Sequence, residues 1–187
     1  MDNREIAFIE DCQKGNKENF AYLYDMYSEK IYNYIFSKTF DREMAEDLTS
    51  ETFFKALDKI KSFKMGEKAS FQAWIYRIAH NKIIDFYRKK KEDVTLEDYL
   101  DIKVEEIDFG ANFDNKQKLK EVFKYFNTLK TEQRDILIMR IWDGLSYKEI
   151  SQISGKSVSN CKKIVSRTLS KVNGDIVLAL LLLAKFF

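Results

Sequence analysis

Proline is absent from this chain of 187 residues, and glycine occurs only six times. Because these two residues mark most turns, their scarcity leaves few positions for hairpins between alternating strands. Apolar residues instead recur three to four positions apart, which is the period of an amphipathic helix. We therefore predict an all-α fold.

Residues that catalyse reactions or bind metals are also scarce. Cys12 and Cys161 form no CxxC pair and suit a reducing cytoplasm, where we expect the protein. His80 is the single histidine, and we expect it opposite the apolar side of its helix, at the surface or near phosphate. The carboxylates of residues 46–51 offer ligands for Mg²⁺, but a solvated acidic face is commoner. With no nucleophile arrangement or phosphate-binding glycine loop, we expect no enzyme, catalytic residue, metal, cofactor or small-molecule substrate.

Long apolar runs are missing too. The run Ile176–Ala184 has nine residues, whereas a membrane-spanning helix needs about 20. We expect this tail to pack on the last domain, with a partner or a membrane surface as the alternative contacts. No secretory signal is visible at the N-terminus.

Charge is nearly balanced overall, at +2, but it is distributed in blocks. Residues 77–91 hold six Lys or Arg and one acid, whereas residues 92–108 hold eight acids and one Lys. Residues 155–171 hold five Lys or Arg and no acid. Such alternation indicates two basic modules joined by an acidic tether. We predict a first domain at residues 1–91, an acidic linker at 92–115, a second domain at 116–173 and an apolar tail at 174–187.

In the first domain, apolar spacing predicts helices over residues 16–39 and about 41–60, with Asp41 as the N-cap of the second. The predicted buried stripe of that second helix is Ala45, Leu48, Thr52, Ala56 and Ile60. Residues 62–70 break the pattern and are predicted to form a loop, with Ser70 capping the helix that follows.

That next helix, FQAWIYRIAHNKIIDFYRKKK (Phe71–Lys91), has two predicted faces. Its apolar side contains Phe71, Ile75, Ile78, Ala79 and Phe86. Its narrower polar stripe contains Trp74, Arg77, Asn81 and Arg88. An aromatic ring, two guanidiniums and an amide suit unstacked bases and phosphates, and the lysines at 89–91 add attraction to a nucleic-acid backbone. An amphipathic helix with a solvated basic end is the alternative.

The segment from Gly144 to Val172 has the pattern of a helix-turn-helix. Ser146 and Ser157 are predicted N-caps, and Gly155 is placed at the turn, where a left-handed backbone favours glycine. In the second of these helices Val158, Cys161, Val165, Leu169 and Val172 are predicted to face inward. The outward residues suit base edges and phosphates of duplex DNA. An ordinary helical hairpin with a polar face is the alternative.

Three segments occur in order: AEDLTSETFFKAL (Ala45–Leu57), the basic helix Phe71–Lys91, and GLSYKEISQISGKSVSNCKK (Gly144–Lys163). With the acidic stretch between the second and third, they resemble bacterial RNA polymerase sigma factors, in particular the small extracytoplasmic-function (ECF) group. The resemblance implies that residues 1–91 form sigma domain two, which binds the polymerase clamp helices and opens the minus-ten promoter element. Residues 116–173 would form sigma domain four, whose helix-turn-helix reads the minus-thirty-five element.

Under this resemblance the residues of three contact surfaces can be named. The expected polymerase contacts are Asp47, Ser50, Glu51, Phe54 and Lys55. The expected minus-ten contacts are Trp74, Arg77, Asn81, Asp85, Arg88, Lys89 and Lys90. The expected minus-thirty-five contacts are Ser157, Ser159, Asn160, Lys162, Lys163, Ser166 and Arg167. Asp85 either orients Arg88 or accepts a hydrogen bond from a base amine. The expected partners are core RNA polymerase and promoter DNA, with an anti-sigma factor as a further candidate.

The sequence departs from the sigma pattern around the turn. Ser154 and Lys156 replace apolar residues, Cys161 stands where a branched aliphatic is common, and Ile164 where a basic residue is frequent. The bases that this domain reads therefore stay open. The alternative function is a stand-alone helix-turn-helix regulator that binds an operator as a dimer. It is disfavoured because the first domain carries its own stripe for single-stranded nucleic acid.

Overall fold

The computed structural model describes residues 3–39, 41–64, 70–89, 121–122, 124–126 and 128–171. The chain divides into two compact units, Met1–Arg88 and Lys89–Phe187. All regular elements among the described residues are helical, so the prediction of an all-α fold is confirmed. The predicted linker, the apolar tail and Lys90 lie outside the described residues.

The described residues of the first unit form four α-helices. They are α1 (Asn3–Lys14), α2 (Phe20–Thr39), α3 (Arg42–Lys59) and α4 (Phe71–Lys89), and short 3-10 turns occupy Lys17–Asn19 and Ile60–Ser62. The sequence did not predict α1. Its buried residues are Glu5, Ile9 and Cys12, and a glutamate on the buried side interrupts the apolar pattern.

Helices α2 and α3 follow the prediction closely. Asp41 is the N-cap of α3, because its Oδ1 accepts a hydrogen bond from the Met44 backbone N–H at 3.1 Å. All five residues of the predicted stripe of α3 are buried. The helix predicted from residue 16 instead begins with a 3-10 turn, and α2 starts at Phe20.

The buried side of α4 is rotated from the predicted one. Ile78 and Phe86, predicted as core residues, are only half-buried, whereas Tyr76 and Ile83 are buried. The Tyr76 ring lies 5.0 Å from the buried ring of Tyr34 in α2, and this contact turns the helix toward that side.

His80 also lies elsewhere than predicted. It is half-buried, and its Nδ1 is 3.0 Å from the hydroxyl oxygen of the fully buried Tyr34. Its predicted position opposite the buried side of α4 is therefore wrong. The hydroxyl of Tyr34 needs a partner because it is surrounded by core side chains.

In the second unit, residues 121–122 and 124–126 are helical, and α5 (Thr131–Ile141), α6 (Tyr147–Ser154) and α7 (Val158–Leu169) follow. The core includes the run Ile136–Met139 with Ile150, Ile153, Cys161 and Val165. Val158 is 38 % exposed, so its predicted inward position is wrong, because the first residue of α7 projects beyond the core. None of the described helices is long and apolar enough to cross a membrane.

Candidate functional site

The outer face of α3 carries the residues expected to contact a protein partner. Asp47, Ser50, Glu51, Phe54 and Lys55 are all exposed, because the opposite side of the helix packs on α2. Phe54 is 75 % exposed, the highest fraction among the exposed large hydrophobic residues that the structure describes.

One carboxylate of this face is already paired within the unit. The Nζ of Lys82 in α4 donates to Oε2 of Glu51 at 2.5 Å, and both side chains are partly exposed. A solvated pair of this kind contributes little stability, so a partner's cation can compete for the carboxylate. The pair therefore connects the outer face of α3 to the basic helix.

The start of α4 is fixed by a cap and by aromatic rings. The Ser70 Oγ accepts a hydrogen bond from the Ala73 N–H at 3.3 Å, which confirms the predicted cap. The ring of Trp74 lies 5.1 Å from Phe63 and 5.4 Å from Phe71, and Trp74 is half-buried. Part of the indole is thus held by the core while the rest stays accessible.

Beyond Trp74 the polar stripe of α4 is solvent-facing. Arg77, Asn81, Asp85, Arg88 and Lys89 are all exposed. Asp85 Oδ1 lies 3.0 Å from Arg88 Nη2, one helical turn away. This contact is the one needed for Asp85 to orient the guanidinium of Arg88.

The helix-turn-helix has the predicted local geometry. Ser146 and Glu149 form a capping box, in which each side chain accepts a hydrogen bond from the other's backbone N–H. Gly155 has φ 73°, and Ser157 Oγ accepts from the Asn160 N–H at 3.2 Å. Both predicted caps and the left-handed turn glycine are therefore confirmed.

The outward face of α7 is polar and cationic. Ser157, Ser159, Asn160, Lys162, Lys163, Ser166 and Arg167 are exposed. Across the described residues, neither Lys163 nor Arg167 has an ion-pair partner. This face thus offers uncompensated positive charge beside an amide and hydroxyls.

Two residues that sequence reasoning missed extend this cationic surface. The Tyr147 ring lies 4.8 Å from the guanidinium carbon of Arg140 and 5.8 Å from Nζ of Lys162. The aromatic ring thus contacts two cations at once. Arg140 lies within the otherwise apolar run of α5, so its spacing in the sequence gives no signal of a surface role.

The residues that depart from the sigma pattern around the turn contact one another or a neighbouring helix. Ser154 Oγ donates to the Ile150 carbonyl at 2.7 Å and lies 3.9 Å from Cys161 Sγ. Lys156 Nζ lies 2.6 Å from Oε1 of Glu132 in α5. The turn accommodates both polar replacements because each has a partner.

The far end of α7 is held by a tyrosine hydroxyl. Tyr125 OH donates to the Thr168 carbonyl oxygen at 2.7 Å. Burial raises the pKa of Tyr125, so this donor keeps its proton well above neutral pH.

Comparisons with known proteins agree with this geometry. Family models described as Sigma-70 region 2 and Sigma-70, region 4 match residues 23–92 and 119–172. The ECF RNA polymerase sigma factor SigM of Bacillus subtilis is 31% identical over 158 residues, covering 80% of this chain and 90% of SigM.

Two solved structures are similar in fold. CnrH, solved with the cytosolic domain of CnrY, gives a TM-score of 0.66 at 19% identity, over 90% of this chain and 94% of CnrH. The sigma factor RpoE of Bartonella quintana, solved with the anti-sigma factor NepR, gives 0.61 at 23% identity, over 82% of this chain and 94% of RpoE.

Proposed function

The chain belongs to the ECF group of bacterial RNA polymerase sigma factors, and from this premise we propose how its two units share the work of promoter recognition and melting. Residues 1–91 act as sigma domain two on core polymerase and the minus-ten element. Residues 116–173 act as sigma domain four on the minus-thirty-five element. The protein acts by binding, without a catalytic residue, in the cytoplasm where polymerase works.

The outer face of α3 is the proposed polymerase surface. Asp47 and Glu51 present carboxylates to basic residues of the clamp helices, and Phe54 supplies an apolar anchor beside them. The clamp replaces Lys82 as the partner of Glu51, since that pair is solvated and easily exchanged.

Promoter opening needs no covalent chemistry. The protein has to hold an unpaired base more favourably than the duplex stacks it, and unstacking costs a few kcal/mol. Stacking on an aromatic side chain contributes about 1–3 kcal/mol per base. The accessible part of Trp74 supplies such a surface, and Asn81 and Arg88 supply hydrogen bonds along the same stripe.

The helix α7 is the proposed reader of duplex DNA. Asn160 and Lys163 face base edges in the major groove, and Arg167 with Lys162 faces the flanking phosphates. The ring of Tyr147 keeps Lys162 near Arg140, which extends the phosphate contact toward α5.

The observation that carries this proposal is the pairing of two differently built cationic helices, α4 and α7, within one sigma-factor chain. Its test is transcription from genomic DNA with purified core polymerase, followed by mapping of transcript starts. We expect specific starts only when the chain and the core enzyme are both present. Footprinting without polymerase provides the contrast, since a stand-alone regulator protects an operator unaided.

An anti-sigma factor is a further proposed partner, since the RpoE of similar fold was solved with one. It would compete with core polymerase for the chain. A purified candidate should therefore lower transcription in the same assay, and added core enzyme should reverse the loss.

A further inference from the structure

Gln13 ties the first helix to the turn that ends α3. Its Nε2 donates to the Ile60 carbonyl oxygen at 3.0 Å and to the Phe63 carbonyl oxygen at 2.6 Å. Both N–H bonds of one amide are thus used, and the contact is partly buried. The helix α1 precedes residues 23–92, the stretch matched by the family model, so that match gives it no role.

The same turn supports the tryptophan of the basic helix. Phe63 is only 5% exposed, its ring lies 5.1 Å from Trp74, and its N–H donates to the Ile60 carbonyl at 3.1 Å. By holding the carbonyls at both ends of the turn, Gln13 fixes the backbone from which the Phe63 ring projects. That ring in turn limits the orientations open to the indole.

We propose that Gln13 is a positioning residue for promoter opening. Through Phe63, it fixes Trp74 in the orientation that receives an unpaired base. An indole that is already ordered loses less conformational entropy when the base stacks, so the open complex is favoured. This inference rests on the role proposed above for Trp74.

The test uses the full chain in complex with core polymerase. Gln13→Met keeps the side-chain length and removes both donors, and we expect roughly three- to tenfold less open complex by permanganate reactivity on a duplex promoter. Binding to core polymerase should change less than about twofold. Gln13→Lys restores a donor of sufficient reach and should recover opening to within about twofold of the original chain.

Asn19→Ala is the matched control. Asn19 Nδ2 donates to Asp11 Oδ2 at 2.9 Å, so it also links α1 to the chain that follows, but among the described residues no hydrogen bond joins its side chain to the turn at residues 60–63. Opening should stay within about twofold of the original chain. An equal loss in Asn19→Ala and Gln13→Met overturns the inference, because it reports general loosening of α1.

A double variant separates this inference from the role of Trp74. Trp74→Ala combined with Gln13→Met should open no less than Trp74→Ala alone, because both act through one contact; additive losses overturn the inference. Normal opening by Trp74→Ala overturns the role of Trp74 and this inference together. Impaired opening by Trp74→Ala with normal opening by Gln13→Met overturns only the inference.

Fluorescence adds a readout independent of transcription. The chain has two tryptophans, so Trp142→Phe leaves Trp74 as the only indole. In that background Gln13→Met should increase acrylamide quenching, and unchanged quenching overturns the inference.

Should Gln13→Met lose its cooperative unfolding transition, Phe63→Leu replaces that variant, since Phe63→Leu removes the ring and keeps the turn. Unimpaired opening by Phe63→Leu also overturns the inference.

Discussion

The two cationic helices, α4 and α7, carry their charge in opposite ways. On α4, Arg88 is paired with Asp85 and Lys82 with Glu51. On α7 there is no acidic residue, and Arg167 has no ion-pair partner among the described residues. A partly neutralised helix with an indole suits an unstacked base, whereas bare charge suits duplex phosphates. With four Lys or Arg in α4 and three in α7, the two helices are similarly basic, and the way the charge is compensated is what fits them to the two forms of DNA proposed above.

The two helices are also positioned by different means. The start of α4 is held by the rings of Phe63, Phe71 and Trp74, whereas the helix-turn-helix is set by serine caps and Gly155. Ring packing depends on residues from several elements, but caps depend on neighbours three residues away. The position of α4 should therefore be more sensitive than that of α7 to substitutions at residues distant in sequence.

The largest expected effect is on polymerase binding. It comes from Glu51 on the outer face of α3, which Lys82 of α4 contacts. We predict that Glu51→Lys lowers affinity for core polymerase roughly ten- to hundredfold, because a like charge then faces the basic clamp. The measurement is a titration of labelled chain with core enzyme. The fold should remain intact, since Glu51 is exposed.

A charge exchange is the control for that variant. Glu51→Lys combined with Lys82→Glu rebuilds the internal pair with reversed sign. Polymerase affinity should remain low, because the clamp meets a lysine at position 51 in both cases. Recovery of affinity in the exchanged variant would instead mean that the pair acts only on the fold.

The next effect concerns the indole of α4, since α7 contains no aromatic residue. We predict that Trp74→Ala reduces promoter opening roughly five- to hundredfold, since each stacked base contributes about 1–3 kcal/mol. Asn81→Ala should impair opening less strongly. Polymerase binding should be nearly unchanged in both variants. Permanganate reactivity at the start-site bubble measures opening, and normal reactivity in both would remove the single-strand role of α4.

Salt dependence sharpens the comparison of charge. We predict that Arg167→Gln weakens binding of the polymerase complex to a promoter that carries both the minus-ten and the minus-thirty-five elements, and that it lowers the slope of log affinity against log salt by about 0.9. Arg88→Gln should change the slope less, because Asp85 already compensates that guanidinium. Equal slope changes for the two variants would show that the ion pair on α4 does not persist on DNA.

The features that sequence predicted best depend on near neighbours. The caps Asp41, Ser70, Ser146 and Ser157 each accept a backbone hydrogen bond three residues along the chain. Such local contacts are encoded in a short window, and so is the left-handed glycine of the turn. Helical periodicity also predicted which residues of the candidate surfaces are exposed, whereas their assignment to polymerase and promoter came from the family resemblance.

The missed features depend on residues far apart in sequence. Glu5 is buried because Tyr27 OH donates to its Oε1 at 2.6 Å, and His80 is half-buried against Tyr34. No local sequence pattern predicts either pair, because the partner hydroxyl comes from another helix. Gln13 and its contact with the turn belong to the same class.

The smallest expected effect is that of Asp85→Asn on promoter opening, and this variant distinguishes the two roles considered for Asp85. Because its carboxylate is 3.0 Å from Arg88 Nη2 and the pair is exposed, we predict that Asp85→Asn lowers opening only about twofold. If Asp85 acts by orienting the guanidinium, the substitution should cause no further loss in an Arg88→Ala background, and it should leave the preferred minus-ten bases unchanged. A carboxylate that accepts from a base amine behaves differently, since its loss would alter base preference whether or not Arg88 is present. Opening assays on promoters that differ at single minus-ten positions, run with both single variants and the double variant, decide between these roles.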